Sequence, residues 1–82
     1  MDVVVGSVVR AKAGRDKGDY FIVTDILNSS KVLISDGKHR KVQKPKLKNV
    51  IHLEVTTTVA QDITTNRQIK SFLKSYLEGN DV

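Results

Sequence analysis

For its first two-thirds the chain sets apolar residues in alternation or in short runs, and beyond residue 65 it sets them three and four positions apart. The first spacing is that of strands, the second that of a helix with one buried side. Residues 7–13 place Val9, Ala11 and Ala13 against Arg10 and Lys12, which predicts a strand ending at Gly14. Gly14-Arg15-Asp16-Lys17-Gly18 has glycine at both ends and charges between, the composition of a solvated turn and hence of a hairpin. Residues 19–26 are dense in aromatic and β-branched side chains (Tyr20, Phe21, Ile22, Val23, Thr24, Ile26) and predict the second strand. After Asn28-Ser29-Ser30, residues 31–35 predict a third. Asp36-Gly37 has the composition of a two-residue type I′ turn, leading into a returning strand at 39–42. Pro45 has no amide hydrogen and predicts an edge or loop at 44–48, after which residues 50–55 predict the last strand.

From Thr65 the helical spacing takes over: Ile69, Phe72, Leu73, Tyr76 and Leu77 fall on one stripe. Thr65 with Gln68 three positions on has the pattern of a capping box, and Gly79 supplies the stop, so the helix is expected over 66–78. Alone it is too short to be stable, so the stripe must dock on the strands or on a partner.

Five short strands within about fifty residues favour a small barrel or sandwich over an open sheet with long unpaired edges. The expected fold class is mainly β: a small SH3-like barrel of about five strands with one C-terminal amphipathic helix. The barrel is expected over 1–56, a connector over 57–64, partly extended through Thr57, Thr58 and Val59, and the helix over 65–79. At 82 residues these form a single domain with one core.

Charge changes the picture more than composition does. The net charge is +5, yet residues 1–48 hold eleven Lys and Arg against five acids, whereas residues 49–82 hold three against four. A one-sided cationic surface favours a polyanionic partner, because attraction and counterion release are concentrated on one face. The densest stretch is Lys38-His39-Arg40-Lys41-Val42-Gln43-Lys44-Pro45-Lys46-Leu47-Lys48, six Lys and Arg in eleven positions without an acid. Lys44, Lys46 and Lys48 share one parity, so on an extended segment they form a row able to follow a phosphate backbone. The other reading is a lysine-rich edge that deters strand pairing. Arg10, Lys12, Arg15 and Lys17 form a second basic group, diluted by Asp16 and Asp19; alone it reads as a charged turn, and it gains weight beside the first. Arg67, Lys70 and Lys74 share one flank of the helix, a solvated face unless the helix packs beside the basic edge.

Other chemistry is sparse. With no cysteine there is no disulfide framework, thiolate metal site or thiol nucleophile. His39 sits among cations and His52 alternates with Ile51 and Leu53, and neither has a carboxylate or hydroxyl partner at a recognisable spacing. The turn at 14–18 lacks the GK[ST] ending of a nucleotide-binding loop. Aromatic residues are few and mostly committed to strands or the helix stripe, which leaves phosphate and shape recognition with little base reading. A non-enzymatic protein with no metal or cofactor is expected. No stretch approaches the roughly 20 apolar residues of a membrane span, and a soluble cytoplasmic protein is expected.

Gly6-Ser7-Val8-Val9-Arg10, then Gly14-Arg15-Asp16-Lys17-Gly18 and the apolar run 20–26, resemble the KOW motif of ribosomal proteins and NusG-type transcription factors, with Gly18 as its hallmark glycine. The continuation through Val32-Leu33-Ile34-Ser35-Asp36-Gly37, Arg40 and residues 48–53, with His52-Leu53, is similar to the large-subunit ribosomal protein family of the fourteen-e type and its bacterial relatives. The resemblance spans about residues 4–55. It implies an SH3-like barrel whose loops contact ribosomal or other structured RNA, with Arg15 and Lys17 in the KOW turn and Lys38, Arg40 and Lys41 in the following hairpin. One short helix stands where the eukaryotic proteins carry a longer extension, which favours a bacterial RNA-binding relative over a fixed ribosomal component. The expected RNA contacts are Arg15, Lys17, Lys38, His39, Arg40, Lys41, Lys44, Lys46 and Lys48. The alternatives are a protein-interaction module that docks on ribosomal or transcription proteins, and a DNA binder.

Overall fold

The computed structural model describes residues 2–79. Its strands are β1 (Ser7–Ala11), β2 (Tyr20–Ile26), β3 (Lys31–Ser35), β4 (Lys46–Asn49) and β5 (Leu53–Val59), followed by the helix α1 (Asn66–Leu77). A 3-10 turn, Val50–His52, joins β4 to β5. The strands form one antiparallel sheet in the order β4-β3-β2-β1-β5, so the fold is mainly β with a single C-terminal helix, as the spacing predicts.

The sheet is strongly rolled. Laid flat, its two edge strands would lie about 19 Å apart, four inter-strand steps of about 4.8 Å. The four residue steps from Asn49 to Leu53 reach at most about 14 Å even when extended, and part of that path is a 3-10 turn. The edges are therefore drawn toward each other. The expected barrel is not completed, however: among the described residues no ladder pairs β4 with β5.

Rolling gives the sheet two buried faces. Val9, Ala11, Phe21, Val23, Val32, Ile34 and Leu53 form the inner cluster, held on one face by the pairs Val9–Phe21, Val23–Ile34 and Ala11–Leu53. Val8 and Ile22 point the other way and pack with Ala60, Ile69 and Leu73. This two-sided burial is why the central strands read as the continuous runs Val8-Val9 and Phe21-Ile22-Val23 rather than as strict alternation. Burial of Ile69 and Leu73 contributes on the order of 3–6 kcal/mol, which is what makes a helix of 12 residues persist. The capping box is formed as expected: the Thr65 hydroxyl accepts from the Gln68 amide and Gln68 Oε1 accepts from the Thr65 amide, both at 3.1 Å. No described helix is long and apolar enough to cross a membrane.

Two expectations along the chain are corrected. Residues 39–42 are not a strand, and Asp36-Gly37 is not a type I′ turn, because only Gly37 takes a positive φ. Asp36 Oδ1 instead accepts the amides of Lys38 and Arg40 at 2.9 and 2.8 Å, folding the chain onto its own side chain, and the return to the sheet is delayed to Lys46. Residues 50–52 form the 3-10 turn rather than the start of the last strand, and β5 runs on to Val59 through the threonines expected to be partly extended. The connector is accordingly shorter than 57–64.

Candidate nucleic-acid interface

In an antiparallel meander the first and third connections leave from the same end of the sheet. That rule puts the turn at residues 12–19 beside the loop at 36–45, and Ile22 of β2 lies opposite Ser35 of β3 next to both. Two contacts lock them together. Arg40 Nη2 lies 3.2 Å from Asp16 Oδ2, with the pair largely withdrawn from solvent. Lys48 Nζ donates to the Ala13 carbonyl at 3.2 Å, reaching from β4 across the roll to the first turn. The first turn, with Arg15 and Lys17, is thus held beside the basic loop, whereas Arg10 of the same basic group pairs with Glu54 of β5 at 3.4 Å.

The loop itself is stiff. Its first turn is closed by Asp36 and by Ser35, whose hydroxyl donates to the Arg40 carbonyl and accepts the Gly37 amide. A second turn follows, with the Lys44 amide donating to the Lys41 carbonyl at 2.9 Å, so both lysines flank one tight bend. Asn66, the first residue of α1, holds the far side: its Oδ1 accepts the Val42 amide at 2.7 Å and its Nδ2 donates to Gln43 Oε1 at 2.9 Å. Sequence reading missed both Asn66 and Asp16. A polar residue after a helix cap and an acid in a charged turn have many other uses, and only their distant partners reveal these.

Each expected contact residue can now be placed. Arg15 and Lys17 are exposed on the first turn, and Lys38, Lys41 and Lys44 are exposed on the loop. Lys46 is half-buried at the start of β4. None of these six meets a carboxylate among the described residues. His39 is exposed, with Nδ1 at 3.8 Å from Asp36 Oδ2, a surface contact of little weight. Arg40 and Lys48 are occupied by the protein itself, and the Arg40 Nε is buried without a partner. The row of three lysines is reduced to two, because β4 begins at Lys46 and Lys44 stays in the loop. Lys46 and Lys48 pair with Ile34 and Val32, so their stems share the face of the inner cluster at its rim.

Aromatic rings offer little here. Phe21 is in the core, Phe72 is half-buried, and Tyr20 and Tyr76 pack on each other with centroids 5.7 Å apart. What the surface presents is a set of cations that meet no acid among the described residues, carried on hydrogen-bonded turns and the start of β4, a chemistry suited to phosphate oxygens rather than to base edges. No family model matches this sequence, and no curated protein is significantly similar to it.

Proposed function

We propose that this chain is an RNA-binding protein of the KOW type its sequence resembles, holding structured RNA, ribosomal RNA being the first candidate, by phosphate contacts from the turn at 14–18 and the loop and strand at 36–48. The observation that carries the reading is the pairing of Arg40 with Asp16 and of Lys48 with Ala13. Those two contacts bring the basic segments together, and among the described residues Arg15, Lys17, Lys38, Lys41, Lys44 and Lys46 pair with no acid. An edge that only deterred strand pairing would not need a second basic turn fixed beside it.

Neutralising six phosphates gives log K a slope of about −4 to −5 against log salt, from about −0.7 to −0.9 per contact. Fluorescence anisotropy with a structured RNA between 50 and 300 mM salt measures it. Affinity that does not change with salt, or the absence of binding at low salt, rejects the reading. Replacing Lys41, Lys44 and Lys46 by alanine is expected to weaken binding to all RNA sequences alike, and competition with duplex DNA separates RNA from DNA preference.

A second reading, docking on a protein of the ribosomal or transcription machinery, is favoured by Ile26, Leu27 and Ile51. These stay 37, 51 and 74% exposed on the side of the 27–30 turn, which the Val50 amide ties to the 3-10 turn through the Ser30 carbonyl. A co-purifying partner that survives ribonuclease treatment and is lost on Leu27→Ser with Ile51→Ser supports it.

A further inference from the structure

Beside the basic loop lies an open groove of about 720 Å³, with α1 as one wall and residues 19–20 and 36–39 as the other. Lys38 and His39 stand at its rim, so the groove begins where the basic loop ends. Arg67, Lys70 and Lys74 line the helix wall, all exposed. At about 1.5 Å per residue these three span about 10 Å along one side, a row rather than a ring. The solvated flank of the sequence reading therefore packs beside the basic edge: the Lys70 stem reaches to 3.1 Å of where a Cβ on Gly37 would be. Arg67 also sits in the first helical turn, which holds no acid and where the helix macrodipole disfavours a cation. Its placement is not explained by helix stability.

The floor differs from the walls. It is apolar, with Tyr20, Leu73 and Leu77, and Leu77 is left 58% exposed although it belongs to the helix stripe. Three acids also line it, Asp19 and Asp36 on the wall opposite α1 and Glu78 at the end of the helix, and Asp36 is engaged by two loop amides and by His39. A row of cations along one side, continued by Lys38 and His39, with apolar surface beside it matches a strand that carries phosphates on one edge and bare base faces on the other. A duplex keeps its base faces stacked within and has none to offer such a floor.

Resting on the RNA reading above, we infer that this groove receives the unpaired strand that continues from an RNA helix held by residues 36–48, so that the ligand is a junction of duplex and single strand. Continuity with the basic loop favours this occupant over an acidic amphipathic peptide, for which the shared Lys38 rim has no separate purpose.

The test uses the full chain and three RNAs: a blunt hairpin, and the same hairpin with a four-nucleotide 5′ or 3′ extension. The wild-type protein is expected to bind one extended form about tenfold more tightly than the blunt one. The variant Arg67→Ala, Lys70→Ala, Lys74→Ala, changed only at exposed positions and checked for fold by circular dichroism, is expected to lose that gain. Its salt slope on the extended RNA should be smaller by about 2, three contacts at about 0.7 each. Leu77→Ser is expected to reduce the gain while leaving the salt slope unchanged. If neither extension strengthens wild-type binding, or the triple variant keeps the gain, the inference is overturned while binding of the blunt hairpin still supports the RNA reading. Failure of every RNA to bind at low salt overturns both. Binding of an acidic amphipathic peptide to the wild type and not to the triple variant, with RNA affinities unchanged, assigns the groove to a protein and also overturns it.

Discussion

Replacing Gly37 by alanine strikes the joint between the basic loop and α1, and its cost can be worked from the geometry. Gly37 has a φ of +75°, where an L-residue costs about 1–2 kcal/mol. The added Cβ would overlap the carbonyl oxygen of Asn66. A lysine stem can swing aside, but a helix carbonyl cannot, so the loop must lift from the helix and strain the 2.7 Å bond from the Val42 amide to Asn66 Oδ1. Overpacking of this kind adds about 1–3 kcal/mol, for a total of about 2–5 kcal/mol. Gly18→Ala is the control. Its φ is +92° but nothing lies within 4 Å of the new Cβ, so only the conformational cost of about 1–2 kcal/mol applies. A domain of this size has about 4–12 kcal/mol of stability in all, and each kcal/mol shifts Tm by about 4–8 °C. Urea titrations of both variants followed by circular dichroism give the two values. Equal losses, or a loss below about 1.5 kcal/mol for Gly37→Ala, would refute the idea that the loop is pinned against the helix.

Three further outcomes are expected. Asn66→Ala should cost about 1–2 kcal/mol, because the Val42 amide loses its acceptor, and hydrogen exchange should show that amide less protected while β1 and β2 are unchanged. Asp16→Asn should lower stability by about 1 kcal/mol and, because it loosens the pair that holds the first basic turn beside the loop, weaken RNA binding at low salt, as urea and salt titrations will show. Lys48→Met keeps the stem over the inner cluster and removes only the ammonium held by Ala13, so it should weaken RNA binding through a looser first turn and leave the salt slope unchanged, whereas Lys44→Met should weaken binding and lower the slope by about 0.7.

Strands built from unmistakable side chains were legible in the sequence. Tyr20 to Ile26 carries β-branched and aromatic residues at nearly every position, Lys31 to Ser35 has the apolar run Val32-Leu33-Ile34, and the Thr65 to Gln68 capping box marked the helix start to the residue. The segment after Ser35 was not legible, because Asp36-Gly37 is equally the composition of a tight hairpin and of a side-chain-capped loop. Which forms depends on Ser35, which accepts the Gly37 amide, and on Asn66, which accepts the Val42 amide from far along the chain. The cations of the candidate site were visible as a run, but not their division of labour: only three-dimensional proximity assigns Arg40 to Asp16 and Lys48 to Ala13 and leaves the others to solvent. The shift of the last strand from 50–55 to Leu53–Val59 has a similar cause. Val50-Ile51-His52 is β-branched enough to read as strand, yet those residues must turn the chain across the roll.

The pairing of β1 with β5, which sets Val9 against Val55 and Ser7 against Val59, has a consequence for the order in which the molecule is made. Each of the other ladders joins strands that follow one another along the chain and can zip as the chain lengthens, whereas this one must wait for the far end of the strand region and carries the largest loop-closure entropy. During synthesis β1 therefore leaves one row of its backbone groups open until residue 59 has emerged. A nascent chain stalled short of that point would expose a sticky, half-built sheet to its neighbours on the same message.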